Sequence, residues 1–169
     1  MRGKRSIALV LVVSAASLLT TTAANAQDRI GGHFGLLLPL VTRGQSSTTT
    51  IADDVVFGFP TGITIRTSDK IAFDLELVPL IQNEPLEVFL TIHPGVIVSI
   101  ANRTAAGVRM AFDVGATSWG FTPLINRQLT RAGATSVFVE AVVPIRFQQD
   151  FRGGAFVSVG LGIHGGIGF

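Results

Sequence analysis

Six charged residues lie in segments where apolar and polar side chains alternate, and their types could form ion pairs. The acidic residues are Asp74, Glu76, Asp113 and Glu140, and the basic residues are Arg109 and Arg146. Opposite charges that share one face of a sheet, away from water, are stable only when they neutralise one another. The pattern therefore predicts a buried network in which Asp74 and Glu76, with Asp113 or Glu140, meet the two arginines.

A histidine joins this predicted network. A symmetric turn near residues 82–85 would place Asp74 beside His93 on the next strand. The predicted polar network is Asp74, Glu76, His93, Arg109, Asp113, Glu140 and Arg146. The alternative chemistry is a gated or proton-linked pore constriction, because rings of charge can select ions. A ring of only eight strands is normally too narrow for that role.

The three histidines of the chain could bind a metal ion through their imidazole nitrogens. His33, His93 and His164 all fall on the polar face of the alternating segments. A metal site would need a third or fourth ligand at a compatible height, and the sequence does not place one. We predict that these imidazoles form interior hydrogen bonds instead, and we predict no metal and no cofactor. The glycines of residues 160–165 match a dinucleotide motif in letters, but no helix follows to hold a pyrophosphate.

The elements that carry these residues are predicted to be β-strands. After residue 26, apolar and polar residues alternate with a period of two, which is the pattern of strands with one apolar face. In residues 136–148, for example, Val137, Val139 and Val143 occupy odd positions, and Glu140 and Arg146 occupy even ones. The predicted strands cover about residues 29–41, 55–66, 71–77, 87–100, 107–114, 118–128, 136–148 and 154–169. The sixth of these eight segments is the least regular.

The links between the predicted strands are of two kinds. Those near residues 67–69, 101–103 and 130–133 are short and contain the Asn, Asp, Ser and Gly that form turns. The other four lie near residues 42–54, 82–85, 115–118 and 148–153, and only the first is long. Tight turns at one end of an up-and-down sheet and a longer Ser/Thr-rich loop at the other are typical of a transmembrane barrel.

The start of the chain has the features of an export signal. Arg2, Lys4 and Arg5 form a cationic start, an apolar run covers residues 7–19, and residues 24–26 read Ala-Asn-Ala. This combination predicts a signal peptide over residues 1–26, cleaved to leave a domain of residues 27–169. The apolar run is shorter than the roughly 20 residues that a spanning helix needs.

Composition excludes several classes of protein. The chain has no cysteine, which excludes disulfides, thiolate metal sites and a lipid-modified cysteine. Of its 13 Lys and Arg residues, three lie in the predicted signal, which leaves 10 against 11 Asp and Glu. A mature chain of about neutral charge lacks the electrostatic attraction for nucleic acid, and no nucleic-acid partner is predicted.

The two faces of the predicted strands indicate which one meets water. An apolar sheet face must be hidden either in a protein core or against lipid. The opposite face here is largely Gly, Ala and Pro with a few charges of both signs, whereas a water-exposed face is normally dense in Lys, Glu, Gln and Thr. Small residues suit the crowded interior of a narrow barrel. The sequence therefore predicts an all-β, antiparallel, up-and-down transmembrane β-barrel of about eight strands.

With these features, the chain resembles the small eight-stranded outer-membrane proteins, the class of the OmpA-type transmembrane domain. The resemblance covers the whole mature chain and includes its end, where Ile163, Ile167 and Phe169 alternate with other residues. It implies a location in the bacterial outer membrane and contact with outer-membrane lipid. It also implies that the barrel-assembly machinery reads Ile167 and Phe169 as an assembly signal. Tyr is absent and Trp occurs once, which departs from the aromatic girdles usual in this class.

The function predicted from these observations is structural or binding rather than catalytic, in a barrel whose polar interior is plugged. Enzymes of this architecture would need a Ser nucleophile beside a His at the outer rim, and all three histidines point inward. Residues 45–53 are predicted to face the cell surface, with an unidentified ligand. The alternatives are a narrow channel, or a soluble exported β-barrel that binds a small apolar ligand.

Overall fold

The computed structural model describes residues 29–83, 85–149 and 153–169. The predicted signal peptide of residues 1–26 lies outside this part of the chain. The described residues form an all-β structure, as the alternating pattern predicts. No helix among them is long and apolar enough to cross a membrane.

Eleven strands make up the sheet. In chain order they are β1 (Ile30–Arg43), β2 (Thr48–Thr50), β3 (Val56–Gly58), β4 (Thr61–Arg66), β5 (Ile71–Gln82), β6 (Glu87–Ala101), β7 (Thr104–Asp113), β8 (Trp119–Ala132), β9 (Thr135–Val142), β10 (Ile145–Gln149) and β11 (Ala155–Gly168). The irregular sixth segment of the sequence forms β8, a strand of 14 residues.

The sheet closes into a ring of eight antiparallel strands, which confirms the predicted strand number and direction. Strand β1 pairs with β11 at the far end of the chain, with Phe34 opposite Ile167. Strands β3 and β4 share one place in the ring, between β1 and β5, and β9 and β10 share another, between β8 and β11. The short β2 pairs only with the end of β1 and extends the ring at that point.

The two divided strands are interrupted where proline occurs. Pro60 separates β3 from β4, and Pro144 separates β9 from β10. Proline has no backbone N–H to donate to a neighbouring strand, so a ladder of hydrogen bonds is broken there. The pairing on both sides of each break stays antiparallel with the same neighbours. The breaks therefore interrupt the two strands without opening the ring.

The ring has two different ends. Three tight turns, at residues 67–70, 102–103 and 133–134, lie at the end where β1 starts and β11 finishes; we call this the turn end. Strands β1, β5, β7 and β10 finish at the other end, which we call the loop end. Arg103 and Gly133 have positive φ angles of 59° and 62°, the left-handed conformation that such tight turns use.

Burial alternates along much of the longer strands, in the sense opposite to that of a water-soluble sheet. In β11, Val159 and Leu161 are 44% and 43% exposed, whereas Ser158 is 7% exposed. Large apolar side chains point outward around the whole ring, and only Val78, Ala111, Leu124, Phe138 and Val142 form a buried apolar set in the described residues. The buried charged residues point inward. The polar face of the strands is therefore the interior of the ring.

Candidate functional site

Arg109 lies at the centre of the ring interior, on β7. Its Nε atom donates a hydrogen bond to Asp74 Oδ2 at 2.8 Å, and its Nη1 atom donates one to Glu140 Oε1 at 2.7 Å. Its Nη2 atom is 3.4 Å from Glu76 Oε2. One guanidinium thus contacts three buried carboxylates, an arrangement that its five N–H donors in a fixed plane make possible.

Two histidines border the same carboxylates. His33 Nε2 lies 2.9 Å from Glu76 Oε2, and His164 Nδ1 lies 3.4 Å from Glu140 Oε1. Both side chains are almost fully buried. Imidazole N–H groups donate to carboxylates at these distances, which satisfies part of the acceptor capacity that Arg109 leaves open. The predicted interior hydrogen bonding of the histidines agrees with this geometry.

A second, looser group lies toward the loop end. The Arg146 guanidinium donates through Nη1 to Thr122 Oγ1 at 3.1 Å and through Nη2 to His93 Nε2 at 3.1 Å. Its Nε atom is 3.9 Å from Asp113 Oδ2, while Asp113 Oδ1 accepts a hydrogen bond from Thr91 Oγ1 at 2.7 Å. The Arg146 and Asp113 side chains remain 13% and 22% exposed. This ion pair is therefore longer and more accessible than those around Arg109.

One predicted contact is wrong. Glu76, not Asp74, faces His93 across β5 and β6, and His93 Nδ1 is 3.2 Å from Glu76 Oε1. The link between β5 and β6 is centred one residue later than the predicted turn near residues 82–85. As a result, Gln82 pairs with Glu87. That change moves the register by two residues, so every side chain keeps its face but meets a different partner. Asp74 lies opposite Gly95 instead.

Every strand position of the ring supplies a side chain to the interior network. The contributors are His33 of β1, Thr64 of β4, Asp74 and Glu76 of β5, His93 of β6, Arg109 of β7, Asn126 of β8, Glu140 of β9 and His164 of β11. Thr64 Oγ1 donates to Asp74 at 2.7 Å, and Asn126 Nδ2 donates to Glu140 at 3.2 Å. The network therefore ties all eight positions together across the interior.

Three of these residues have donor atoms close enough to hold a metal ion. The donor atoms of His33, Asp74 and Glu76 lie within 4.8 Å of one another. Arg109, however, donates to Asp74 and lies 3.4 Å from Glu76. A cation bound there would sit beside a guanidinium and would have to displace its hydrogen bonds. The donor set is better matched to Arg109 than to a metal ion.

Two cavities lie on opposite sides of the network. The loop-end cavity has a volume of about 760 Å³, and the turn-end cavity has a volume of about 240 Å³. Arg109 and Glu140 line both of them. The Arg109–Glu140 pair thus lies between the two cavities and contributes to the lining of each.

Several interior residues that carry no charge were not predicted from the sequence. Leu37, Val78, Leu80 and Val142 line the loop-end cavity, and Phe138 lines the turn-end cavity. All of them have the same strand parity as the charged residues of their own strands, so strict alternation would have placed them inside. The prediction for the inward face rested on its charged and small residues, and it did not include these larger apolar ones.

The long link between β1 and β3, which contains β2, folds back on the ring at the loop end. Strand β2 pairs with residues 41–43 of β1, with Val41 opposite Thr50. Asp53 accepts hydrogen bonds from the backbone N–H and the hydroxyl of Thr50, both at 2.8 Å. These bonds stabilise the carboxylate form and lower the pKa of Asp53 from its usual value. The predicted surface region of residues 45–53 is therefore partly ordered.

Comparison of the chain with protein-family models, with curated proteins and with solved structures found no match.

Proposed function

We propose that the chain is a small transmembrane β-barrel of the bacterial outer membrane, exported through a cleaved signal peptide. The observation that carries the proposal is the outward apolar face. Leu75, Met110 and Val159 are each at least 40% exposed, and equivalent residues surround the ring. Water-soluble monomers seldom expose apolar patches of more than a few hundred Å². Lipid is the environment in which such a face is stable.

The height of the apolar face supports this proposal. On β5 the outward positions run from Ile71 to Ile81 without a charged side chain. Ten residue steps of about 3.3 Å give roughly 33 Å along the strand, and a tilt of about 40° reduces this to about 25 Å. The apolar band of outer-membrane barrels is about 25 Å tall. The exposed Arg66 and Lys70 lie just beyond Ile71, at the turn end.

Closure of the sheet is the second support. In hydrocarbon every backbone N–H and C=O group needs an internal partner, which a closed ring provides because it has no edge strand. The β1 and β11 pairing extends from His33 opposite Gly168 to Arg43 opposite Val159. Trp119, Phe121 and Phe147 form an aromatic cluster near the loop end, with the rings of Trp119 and Phe147 4.7 Å apart. Aromatic side chains favour the boundary between lipid and water.

The role that we propose is structural and binding, with no catalysis. The buried ion pairs between the two cavities support a plugged barrel over a narrow channel. Each of the three histidines contacts a carboxylate inside the ring, away from the rim where an acyl-transfer site would lie. The loop end, with residues 45–53, would then face the outside of the cell. The barrel-assembly machinery would recognise Ile167 and Phe169 during insertion.

Cell fractionation combined with a heat-modifiability gel tests this proposal. We expect the protein in the outer-membrane fraction, with unboiled and boiled samples migrating differently because a closed ring resists detergent unless heated. Release by osmotic shock without a migration shift would overturn the proposal and favour the soluble exported barrel. A steady single-channel conductance in planar bilayers would instead overturn the plugged interior and favour the channel.

A further inference from the structure

The loop-end cavity has apolar walls that the polar network does not account for. Leu37, Val56, Val78, Leu80 and Val142 line it. The cavity has a volume of about 760 Å³. Covering these apolar walls with an apolar molecule removes them from water, which lowers the free energy of the system. This volume also falls within the range of small-molecule sites, about 300–1,000 Å³.

A β-bulge in β1 contributes to the shape of this cavity. Pro39 pairs with Gly162 and Val41 pairs with Leu161, so Leu40 is an extra residue between them. Pro39 and Thr42 consequently both line the cavity, although an uninterrupted alternation would turn one of them outward. The facing strand carries Gly160 and Gly162, which add no side-chain bulk. The fold thus leaves open space at the level where the polar network ends.

The lining of the loop-end cavity includes two opposite charges that are spaced apart. Arg146 Nε lies 3.9 Å from Asp113 Oδ2, which is longer than a hydrogen bond. One oxygen atom placed about 2.8 Å from each would bridge them. A hydroxyl group can do this, because it donates to the carboxylate and accepts from the guanidinium. A ligand carboxylate or ammonium in the same place would be attracted by one member of the pair and repelled by the other, so an ion would gain little net attraction there.

We propose that the loop-end cavity is a binding site for one uncharged, mainly apolar molecule that carries a hydroxyl group. The apolar body contacts Leu37, Val78 and Leu80, and the hydroxyl bridges Asp113 and Arg146. Entry is from the loop end, where Gln148 and Gln149 are among the lining residues. The site lies inside the ring, so it does not depend on whether lipid surrounds the outer face.

Three naphthalene probes of similar size and different charge test the proposed chemistry. Equilibrium dialysis of 1-naphthol, 1-naphthoate and 1-naphthylmethylammonium is carried out with the protein in lipid nanodiscs, and empty nanodiscs correct for partition into lipid. We expect 1-naphthol to bind at least tenfold more tightly than either ion. No binding of 1-naphthol above the empty nanodiscs, or tighter binding of one of the ions, would overturn the proposal.

Two adjacent substitutions on β5 test the location. Leu80→Trp fills the cavity from its wall, whereas Ile81→Trp places the same side chain on the outer face, where Ile81 is 36% exposed. We expect Leu80→Trp to weaken 1-naphthol binding at least tenfold and Ile81→Trp to leave it unchanged. Equal affinities in the two variants would place the binding outside the cavity and overturn the proposal.

A variant of Asp113 tests the bridging hydroxyl without adding bulk. Asp113→Asn removes the negative charge but keeps the shape, so Arg146 is left to attract anions. We expect the tenfold preference for 1-naphthol over 1-naphthoate to disappear or reverse. An unchanged ratio would show that Asp113 and Arg146 do not contact the ligand. The three-probe comparison on the unmodified chain decides the proposal even if a variant fails to fold.

Discussion

Arg109 contacts more buried carboxylates in the ring interior than any other described side chain does. It contacts Asp74, Glu76 and Glu140, and it is 4% exposed. Removing one member of a buried ion pair leaves its partners charged and unpaired, and this costs more than the pair itself contributes. The three carboxylates therefore make Arg109 the most sensitive position of the network.

We predict that Arg109→Met lowers the free energy of unfolding by about 3–5 kcal/mol, the range for breaking a buried ion pair. Methionine keeps most of the volume, so the loss reports charge rather than packing. Urea unfolding of the protein in detergent micelles measures it. The matched control is Arg127→Met, because Arg127 is exposed at the turn end and bonds to Thr104 Oγ1 and Asn102 O. That change should cost about 0–1 kcal/mol, and equal losses in the two variants would contradict the central role of Arg109.

Asp53 should make the order of the first loop depend on pH. Its pKa is lowered from 3.8 by the hydrogen bonds from Thr50. A lowered pKa means that the folded turn prefers the carboxylate, so its stabilisation is complete above about pH 4 and is lost as the pH falls through the lowered pKa. The amide NMR signal of Thr50 should move in that acidic range. In Asp53→Asn the signal should not titrate, and titration of Thr50 in that variant would show that another group is responsible.

At the scale of the strands, most of the architecture was predictable because alternation determines which side chain faces which way. The periodicity of residues 136–148 predicted one strand, and Pro144 divides it into β9 and β10 without changing its place in the ring. The contact between Glu76 and His93 was not predictable, since the centre of a four-residue link cannot be read from alternation. The bulge at Leu40 gives no signal in the sequence either.

The cost of placing arginine on the outward face should depend on the depth of the residue in the membrane. Leu75 lies near the middle of β5, whereas Ile100 lies near the turn end of β6, and both are exposed. If lipid covers this face, Leu75→Arg should cost about 2–4 kcal/mol and Ile100→Arg about 0–1 kcal/mol, because the penalty for arginine falls toward the membrane interface. Unfolding and refolding in phospholipid vesicles measures both. Equal and small costs would indicate that water covers the face.

Variants at the pairing of β1 and β11 can distinguish an effect on outer-membrane assembly from an effect on the stability of the folded protein. Phe169 is 64% exposed, and its backbone N–H and C=O bond to Gly32 at 2.9 and 2.8 Å. Phe169→Ala keeps those backbone bonds, so refolding into detergent should be nearly normal. If the assembly machinery reads this aromatic ring, outer-membrane insertion in cells should fall sharply. Phe34→Ala, an outward aromatic change on β1, is the control and should insert normally. Equal insertion of the two variants would remove Phe169 from the assembly signal.

At the scale of the whole molecule, the ring is closed, with large apolar side chains on its outer face and polar side chains in its interior. This is the reverse of the arrangement in a water-soluble protein. The polar network crosses the interior and separates a larger apolar-walled cavity from a smaller one. The charged members of the network could be predicted because they share one strand parity. The loop-end cavity could not, since its volume depends on the bulge in β1 and on the relative heights of side chains from different strands.

The central claim is that the apolar outer face contacts lipid, and a nitroxide scan along β5 tests it most directly. The chain has no cysteine, so single cysteines at residues 71–82 can be spin-labelled one at a time in protein reconstituted into vesicles. Power-saturation EPR then compares access of oxygen, which dissolves in lipid, with access of a water-soluble nickel chelate. We predict high oxygen and low nickel access at Phe73, Leu75 and Leu77, alternating with low oxygen access at the inward positions. Nickel access at Leu75 as high as at the loop residue Ser47 would contradict the claim.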